Sequence, residues 1–338
     1  MSDARAANRE LSDRERGEGL EVYQSLPLQL QLEPTNRCNL NCQSCARHSY
    51  DCAMNRPIDF SPQLLERVRP LFATAEQVLL GGYGEPTLAP RLLEIAAAIK
   101  SVGAHLSMVT NGTLLSSKLC GSLAALPLDE LLLSIDAARP ETLKRLRGVS
   151  LELLQRNVDR LNKARGEGPP RLVLQCVLQR DNVEQLPELV GLAQRWRASG
   201  LRAVHQRIYQ RGQQQRSLLL DPQAAAGPFD EARKLADDLG LELELPPLQG
   251  QADCVMPLEM LLVRAEGTVH GCCSAVFSGS PCTLELGSAL QSDLHELYNA
   301  EPMRRFRAAF HGRGEFPEPC QDCAFRNADA QSHFRPLD

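Results

Sequence analysis

Residues 28–52 read LQLQLEPTNRCNLNCQSCARHSYDC. An alternating apolar run leads directly into three cysteines, Cys38, Cys42 and Cys45, spaced C-x3-C-x2-C, and Cys52 follows seven residues later. A period of two marks a strand, and the proline and polar residues after it mark a loop. The thiols therefore sit on the loop that leaves a strand. Buried filler, a disulfide framework and metal ligation all remain open on spacing alone.

Composition narrows the choice. The chain has 338 residues, enough for one large domain or two smaller ones. Apolar residues at 43% and charged residues at 23% suit a globular protein. No stretch reaches the roughly 18 apolar residues of a membrane span. The opening MSDARAANRELSDRERGEGLEVYQSL lacks the apolar core of a secretion signal. We therefore expect a cytoplasmic protein with no membrane partner. A net charge of −5 argues against general nucleic-acid binding. The one basic run, MRRFRAAFHGR at 303–313, reads as a solvated helix face. Twelve cysteines is a high count for a reducing compartment, where disulfides do not persist, so clustered thiols point to metal or redox chemistry. Four lie in 38–52 and six in 254–323, while Cys120 and Cys176 have apolar neighbours and read as core. Two metal regions far apart in sequence follow from that distribution.

Between them, β-rich runs alternate with helical ones. Strands are expected at 28–33, 76–82, 105–112, 130–137, 171–179 and 203–210. Helices are expected at 61–72, with Ser61 as cap and Pro62 in the first position, and at 90–103, 151–166 and 184–200. Gly103, Gly166 and Gly200 read as helix ends. Six strands with intervening helices imply an α/β fold of parallel units, too few for a closed eight-stranded barrel, so a partial (β/α)6 barrel is expected. We divide the chain into an N-terminal extension (1–26), the barrel (27–220), a polar, Pro-rich bridge (221–250) and a small cysteine-rich unit (251–338). Sites in such folds gather at the C-terminal ends of the strands. The cysteine loop, GGYGEP, TNGT and SIDAARP all fall there.

Three thiolates on one loop suit three corners of a [4Fe–4S] cluster, leaving one iron open. Zinc competes, with His48 or Cys52 as a fourth ligand. The motif C-x3-C-x2-C on the loop after the first strand resembles the radical S-adenosylmethionine (radical SAM) superfamily. That resemblance implies a [4Fe–4S] cluster on Cys38, Cys42 and Cys45 whose open iron chelates S-adenosylmethionine. It also implies reductive cleavage of that cofactor to a 5′-deoxyadenosyl radical that abstracts hydrogen from a substrate. LGGYGEP is similar to the family's glycine-rich segment facing the cofactor's amino group, carried here by Gly81, Gly82, Gly84 and Glu85. MVTNGTLL and LLLSIDAARP resemble later strand ends, making Asn111, Ser134 and Asp136 candidate cofactor or substrate contacts, with Arg180 and Asn182 at the next. Asp136 also reads as a structural cap, and TNG as a plain turn. Where the family often carries an aromatic residue before the third cysteine, this chain has Ser44, which passes adenine contact to neighbours such as Ala46 or His48.

The C-terminal cysteines resemble the SPASM/twitch extension of that superfamily: Cys254, a glycine turn at AEGTV, Cys272, then Cys320-x2-Cys323. No cysteine follows Cys323, so the resemblance is to the twitch form, with one auxiliary [4Fe–4S] cluster on Cys254, Cys272, Cys320 and Cys323. Cys273 and Cys282 are alternatives for one position, and a zinc knuckle is the competing reading. Four thiolates leave no open iron, so this cluster passes electrons.

The opening EPT-x-RCNLNC is similar to radical SAM proteins associated with tungsten-enzyme cofactors. The resemblance implies an external flavodoxin- or ferredoxin-type electron donor and a maturase or tailoring reaction on a peptide, protein or cofactor. Oxidation of a small alcohol or aminocyclitol is the alternative enzyme class. A non-catalytic iron–sulfur or zinc protein is the alternative outside enzymes. About 26 residues precede the first strand, too few for a leader-recognition domain, which implies a separate recognition protein or a non-peptide substrate. No residue is singled out as a catalytic acid or base.

Overall fold

Each of the six expected strands forms, and the parallel pairing that their alternation with helices implied is observed. The computed structural model describes residues 3–45, 47, 56–126, 128–206, 214–219, 221–248, 254–272 and 284–321. From the N-terminus the elements are α1 (Asp3–Gly17), β1 (Gln29–Leu32), α2 (Pro62–Val68), β2 (Gln77–Leu80), α3 (Leu92–Lys100) and β3 (His105–Thr110). Then come α4 (Ser117–Ala125), β4 (Glu130–Ser134), α5 (Pro140–Arg147), α6 (Leu151–Arg165), β5 (Arg171–Leu178), α7 (Leu186–Arg195) and β6 (Gly200–His205). The remainder is α8 (Gln223–Leu239), β7 (Glu242–Glu244), α9 (Met256–Glu259), β8 (Met260–Val263), β9 (Thr268–His270) and β10 (Glu285–Ser288). Three helices close the described chain: α10 (Leu294–Tyr298), α11 (Glu301–Phe310) and α12 (Glu318–Gln321).

The packing follows two units: residues 1–37, 51–106 and 250–337 form the first, and residues 38–50 and 107–249 the second. In the first, the strand order is β10-β9-β8-β1-β2. β1 pairs in parallel with both β2 and β8, and Leu32 stands beside Leu80 on one side and Val263 on the other. These three strands end level, so the residues that follow them emerge along one edge. β8 and β9 form an antiparallel hairpin, with Gly267 in the left-handed region at φ +98°, as the AEGTV turn requires. In the second unit β3, β4, β5, β6 and β7 pair in parallel throughout. All five residues of β4 are buried, as in a parallel strand covered on both faces.

Ser61 caps α2 by accepting from Leu64 N–H (3.1 Å), with Pro62 behind it, as its sequence implied. Other expectations need correction. Gly200 does not end a helix; it opens β6, where a Cβ would lie 2.2 Å from the Glu242 carbonyl oxygen. The left-handed residue after α7 is Arg197, at φ 54°. β6 therefore starts three residues before the expected 203. The Pro-rich stretch also yields a short edge strand, β7, that was not expected.

The N-terminal extension folds as well. The buried positions of α1 are Arg5, Asn8, Ser12 and Glu15, a helical stripe made of polar side chains. Arg5 donates to the carbonyls of Ala75 (2.6 Å), Val102 (2.9 Å) and Gly103 (3.2 Å). Asn8 exchanges hydrogen bonds with the Leu26 backbone, and Glu15 accepts from Ser25 Oγ at 2.6 Å. An apolar period does not find such a helix, because its packing face is polar.

The basic run at 303–313 is corrected in the same sense. Arg304 and Arg305 are exposed on α11, but Arg307 is fully buried. Its guanidinium lies 3.8 Å from the Tyr23 ring centroid and 4.6 Å from that of Tyr298. It donates to Asn299 Oδ1 (2.7 Å) and to the carbonyls of Glu21 and Tyr298 (2.9 Å each). Removing this group strands buried acceptors, so Arg307→Met is expected to lower unfolding free energy by about 3 kcal/mol in urea titration, and the exposed Arg304→Met by less than about 0.5.

Candidate iron–sulfur and cofactor sites

The edge where β1 and β2 end carries the first candidate segment. Gly81 N–H donates to the Leu32 carbonyl (2.9 Å), which starts a close run of backbone against backbone. A Cβ on Gly82 would lie 2.4 Å from Glu33 Oε2, and one on Gly84 would lie 1.9 Å from the Thr35 carbonyl oxygen. Only hydrogen fits at either position. Tyr83 N–H donates to Glu33 Oε2 (2.6 Å), and Glu85 N–H to the Arg37 carbonyl (2.7 Å). Arg37 in turn grips both carboxylate oxygens of Asp59 (2.8 and 2.9 Å) and the Leu88 carbonyl (2.8 Å). The segment 33–37, which leads to the cysteines, is thus fixed to 81–88. Glu85 is buried, and its Oε1 accepts from Thr87 N–H (3.2 Å) and Thr87 Oγ1 (2.7 Å), capping the turn Pro86–Leu88.

The cysteine loop belongs to the second unit. Cys38, Cys42 and Cys45 are half-buried thiols. Cys45 N–H donates to the Cys42 carbonyl (3.1 Å), and Gln43 N–H to the Leu146 carbonyl at the end of α5 (2.8 Å). Asn111 Nδ2 donates to Asn39 Oδ1 (2.9 Å) and stands 3.9 Å from Cys38 Sγ. Cys42 Sγ lies 3.8 Å from the Arg147 carbonyl oxygen. Burial pushes the Cys42 thiol up to about 11 and raises Cys45 too. Metal binding replaces those protons. Among the described residues, no three His, Cys, Asp or Glu side chains converge as a single ion requires. A tetrahedral zinc, with bonds of about 2.3 Å, would draw its thiolates to within about 4 Å of one another. A cubane spreads its thiolates over separate irons, and the donor set here, three thiols with an amide N–H beside one of them, fits it.

The remaining strand-end residues of this unit are tied within the protein. Asp136 Oδ1 accepts from Val177 N–H (2.9 Å), and Oδ2 pairs with Arg147 (3.0 Å). Asn182 Nδ2 donates to the Asp136 carbonyl (2.7 Å) and the Val177 carbonyl (2.9 Å). Arg180 pairs with Asp221 (3.0 Å), and Ser134 closes β4 as a buried residue. Sequence reading named Asp136 and missed Arg147, a buried cation whose own carbonyl borders Cys42. In KRLRG it resembles its solvated neighbours, and nothing local distinguishes it.

In the first unit, Cys272 follows β9 and Cys320 lies in α12. Both are buried in one group with Leu258, Leu284 and Phe306, against which Val255 packs. Cys254, next to Val255, is half-buried. Cys323, Cys273, Cys282 and Cys52 lie outside the described residues, as do Ala46 and His48.

Residues 32–193 match the family model of the radical SAM superfamily, and residues 254–324 match the SPASM model, an iron-sulfur cluster-binding domain. The chain carries a radical SAM domain followed by a SPASM domain. It is a radical SAM enzyme with a SPASM domain, and the two domains imply [4Fe–4S] clusters. The chain is 26% identical over 318 residues to a tungsten-containing aldehyde ferredoxin oxidoreductase cofactor-modifying protein of Pyrococcus furiosus, covering 88% of each. It is 27% identical over 319 residues to a PqqA peptide cyclase of Xanthomonas oryzae, covering 90% of this chain and 82% of the other. Its fold is similar to that of Streptococcus suis SuiB bound to S-adenosylmethionine, with a TM-score of 0.67 at 15% identity over 95% of this chain and 74% of that one. The expected mixed α/β fold of a radical SAM protein is thereby established.

The fit around Gly84 gives a sharp expectation for this radical SAM protein. Gly84→Ala forces the backbone away from Thr35, so thermal unfolding should fall by several degrees and S-adenosylmethionine binding should weaken. Gly121, within α4, has open space where a methyl group would stand, with nothing within 4 Å, so Gly121→Ala should instead gain about 0.5–1 kcal/mol.

Proposed function

We propose that this enzyme is a maturase that uses S-adenosylmethionine to modify a peptide, with a cofactor precursor as the second substrate class. The observation that carries the reading is near full-length similarity to two maturases, a PqqA peptide cyclase and a cofactor-modifying protein. SuiB, similar in fold, has also been solved bound to its precursor peptide SuiA.

Cys38, Cys42 and Cys45 are assigned to the first cluster. Bound there, a [4Fe–4S] cluster with one open iron supplies the electron that splits S-adenosylmethionine into methionine and a 5′-deoxyadenosyl radical, which takes hydrogen from the substrate. The chain's own contribution is to hold and shield. Asn111 presents an amide N–H to the Cys38 sulfur. The Arg147 cation, anchored by Asp136, offsets negative charge near Cys42. Gly81, Gly82, Gly84 and Glu85 are the candidates for the cofactor's amino-acid end, with Asn111, Ser134 and Asp136 as further polar candidates. Cys254, Cys272, Cys320 and Cys323 are assigned to one auxiliary [4Fe–4S] cluster. An external flavodoxin- or ferredoxin-type carrier would supply the electron. Cytoplasmic residence suits twelve cysteines that are not needed as disulfides. Among the described residues, no helix is long and apolar enough to cross a membrane. The functional division follows 27–220 and 251–338, with 221–250 as the bridge.

Anaerobic reconstitution followed by dithionite and S-adenosylmethionine tests the enzyme. Iron near about eight per chain and release of 5′-deoxyadenosine are expected. Replacing Cys38, Cys42 and Cys45 by Ala should abolish that release, whereas replacing Cys320 and Cys323 should impair product formation far more than cofactor cleavage. Extracts of deuterium-grown cells, fractionated by size, test the substrate class. Deuterium should enter 5′-deoxyadenosine from the peptide fraction, and label from the small-molecule fraction alone would overturn the peptide reading.

A further inference from the structure

Glu33 and Arg264 stand on the edge where β1, β2 and β8 end together, and neither was named as a site residue from the sequence. Glu33 is 1% exposed. Its Oε2 accepts from Tyr83 N–H (2.6 Å) and fills the space against Gly82. Its Oε1 faces Arg264 Nε at 3.7 Å. The Arg264 guanidinium lies 5.0 Å from the Tyr83 ring centroid, and its other end pairs with Glu266 (3.2 Å). Burial raises the Glu33 carboxyl, as does the nearby Glu266 charge to a smaller extent, while Arg264 and the backbone N–H groups of Tyr83 and Ala265 pull against that rise.

Two features separate this arrangement from an ordinary buried tie. A carboxylate this deep is costly unless paired, yet its one cation stands 3.7 Å away, beyond hydrogen-bond distance. The pair also joins two segments of different duty. Arg264 opens the turn of the β8–β9 hairpin, and β9 leads through His270 to Cys272. Glu33 carries the backbone of Gly82 and Tyr83. A small shift of the hairpin changes the charge facing Glu33, and Glu33 holds the glycine segment in place.

We propose that Glu33 and Arg264 are positioning residues that set the geometry of residues 82–85 and couple it to the C-terminal ligand loop. The functional half of the inference rests on the reading of that segment as the receptor of S-adenosylmethionine. Neither residue is assigned to the reacting atoms.

Glu33→Gln and Arg264→Gln test the link in two ways. Hydrogen exchange on cluster-free protein reads the clamp itself, and both variants should exchange faster at 82–85 than the parent. On reconstituted protein, the KM for S-adenosylmethionine in cofactor cleavage should rise about tenfold with kcat held within about twofold, and the double variant should match the worse single. Arg307→Met, destabilised at a site away from the segment, should leave exchange at 82–85 and the KM unchanged. If Glu33→Gln fails to fold, Arg264→Gln, whose side chain is 15% exposed, carries the test. Unchanged exchange at 82–85 in the folded variants would overturn the clamp. Faster exchange with an unchanged KM would overturn the coupling to the cofactor. Failure of the parent protein to bind S-adenosylmethionine would strike the functional reading instead, while the exchange result would still decide the clamp.

Discussion

The backbone that leaves β1 and the backbone that leaves β2 approach so closely that a methyl group fits on neither Gly82 nor Gly84. Leu32, Glu33, Thr35 and Arg37 supply the opposing surface, and Gly81, Tyr83 and Glu85 donate their N–H groups to Leu32, Glu33 and Arg37 respectively. The chain reaches Cys38 from a fixed point, because Arg37 is held by Asp59 and by the Leu88 carbonyl. The cost of such a site falls on sequence freedom: two positions accept only glycine, and one buried carboxylate must be kept company.

Two of the thiols that follow, Cys42 and Cys45, are held in surroundings that disfavour their ionised form. Desolvation raises Cys42 and Cys45. The Arg147 cation, which Asp136 fixes in place, counters it at both thiols, and Arg47 counters it at Cys45. Burial of this kind keeps Cys42 and Cys45 protonated until a metal displaces the protons. The same physics explains why the polar residues at the ends of β4 and β5 are occupied with one another. Asp136, Asn182 and Arg147 form the frame behind the ligand loop.

Much of this was legible in the sequence, for identifiable reasons. The strands announced themselves through alternation and through β-branched and leucine-rich runs, and AEGTV implied the glycine turn of a hairpin that the structure adopts. What escaped reading was polar packing. The buried stripe of α1 is Arg5, Asn8, Ser12 and Glu15, and Arg307 lies between two tyrosine rings within a run of exposed arginines. Hydrophobic periodicity carries no information about such positions, because their partners are carbonyls brought in from distant residues. Gly200 misled for a related reason: it serves a close approach between β6 and Glu242, a requirement set by a strand that a Pro-rich stretch concealed. Arg147 belongs to the same class of residue, named by tertiary contact alone, and the EPT motif contains Glu33 without showing what it holds.

The central claim is that Cys38, Cys42 and Cys45 hold a cluster with one iron left for S-adenosylmethionine. Electron paramagnetic resonance of the dithionite-reduced, reconstituted protein, recorded with and without that cofactor, tests it most directly. The account expects two reduced signals, of which one shifts its g values on cofactor addition and disappears in Cys38→Ala. Iron-loaded protein in which neither signal responds to S-adenosylmethionine would contradict it.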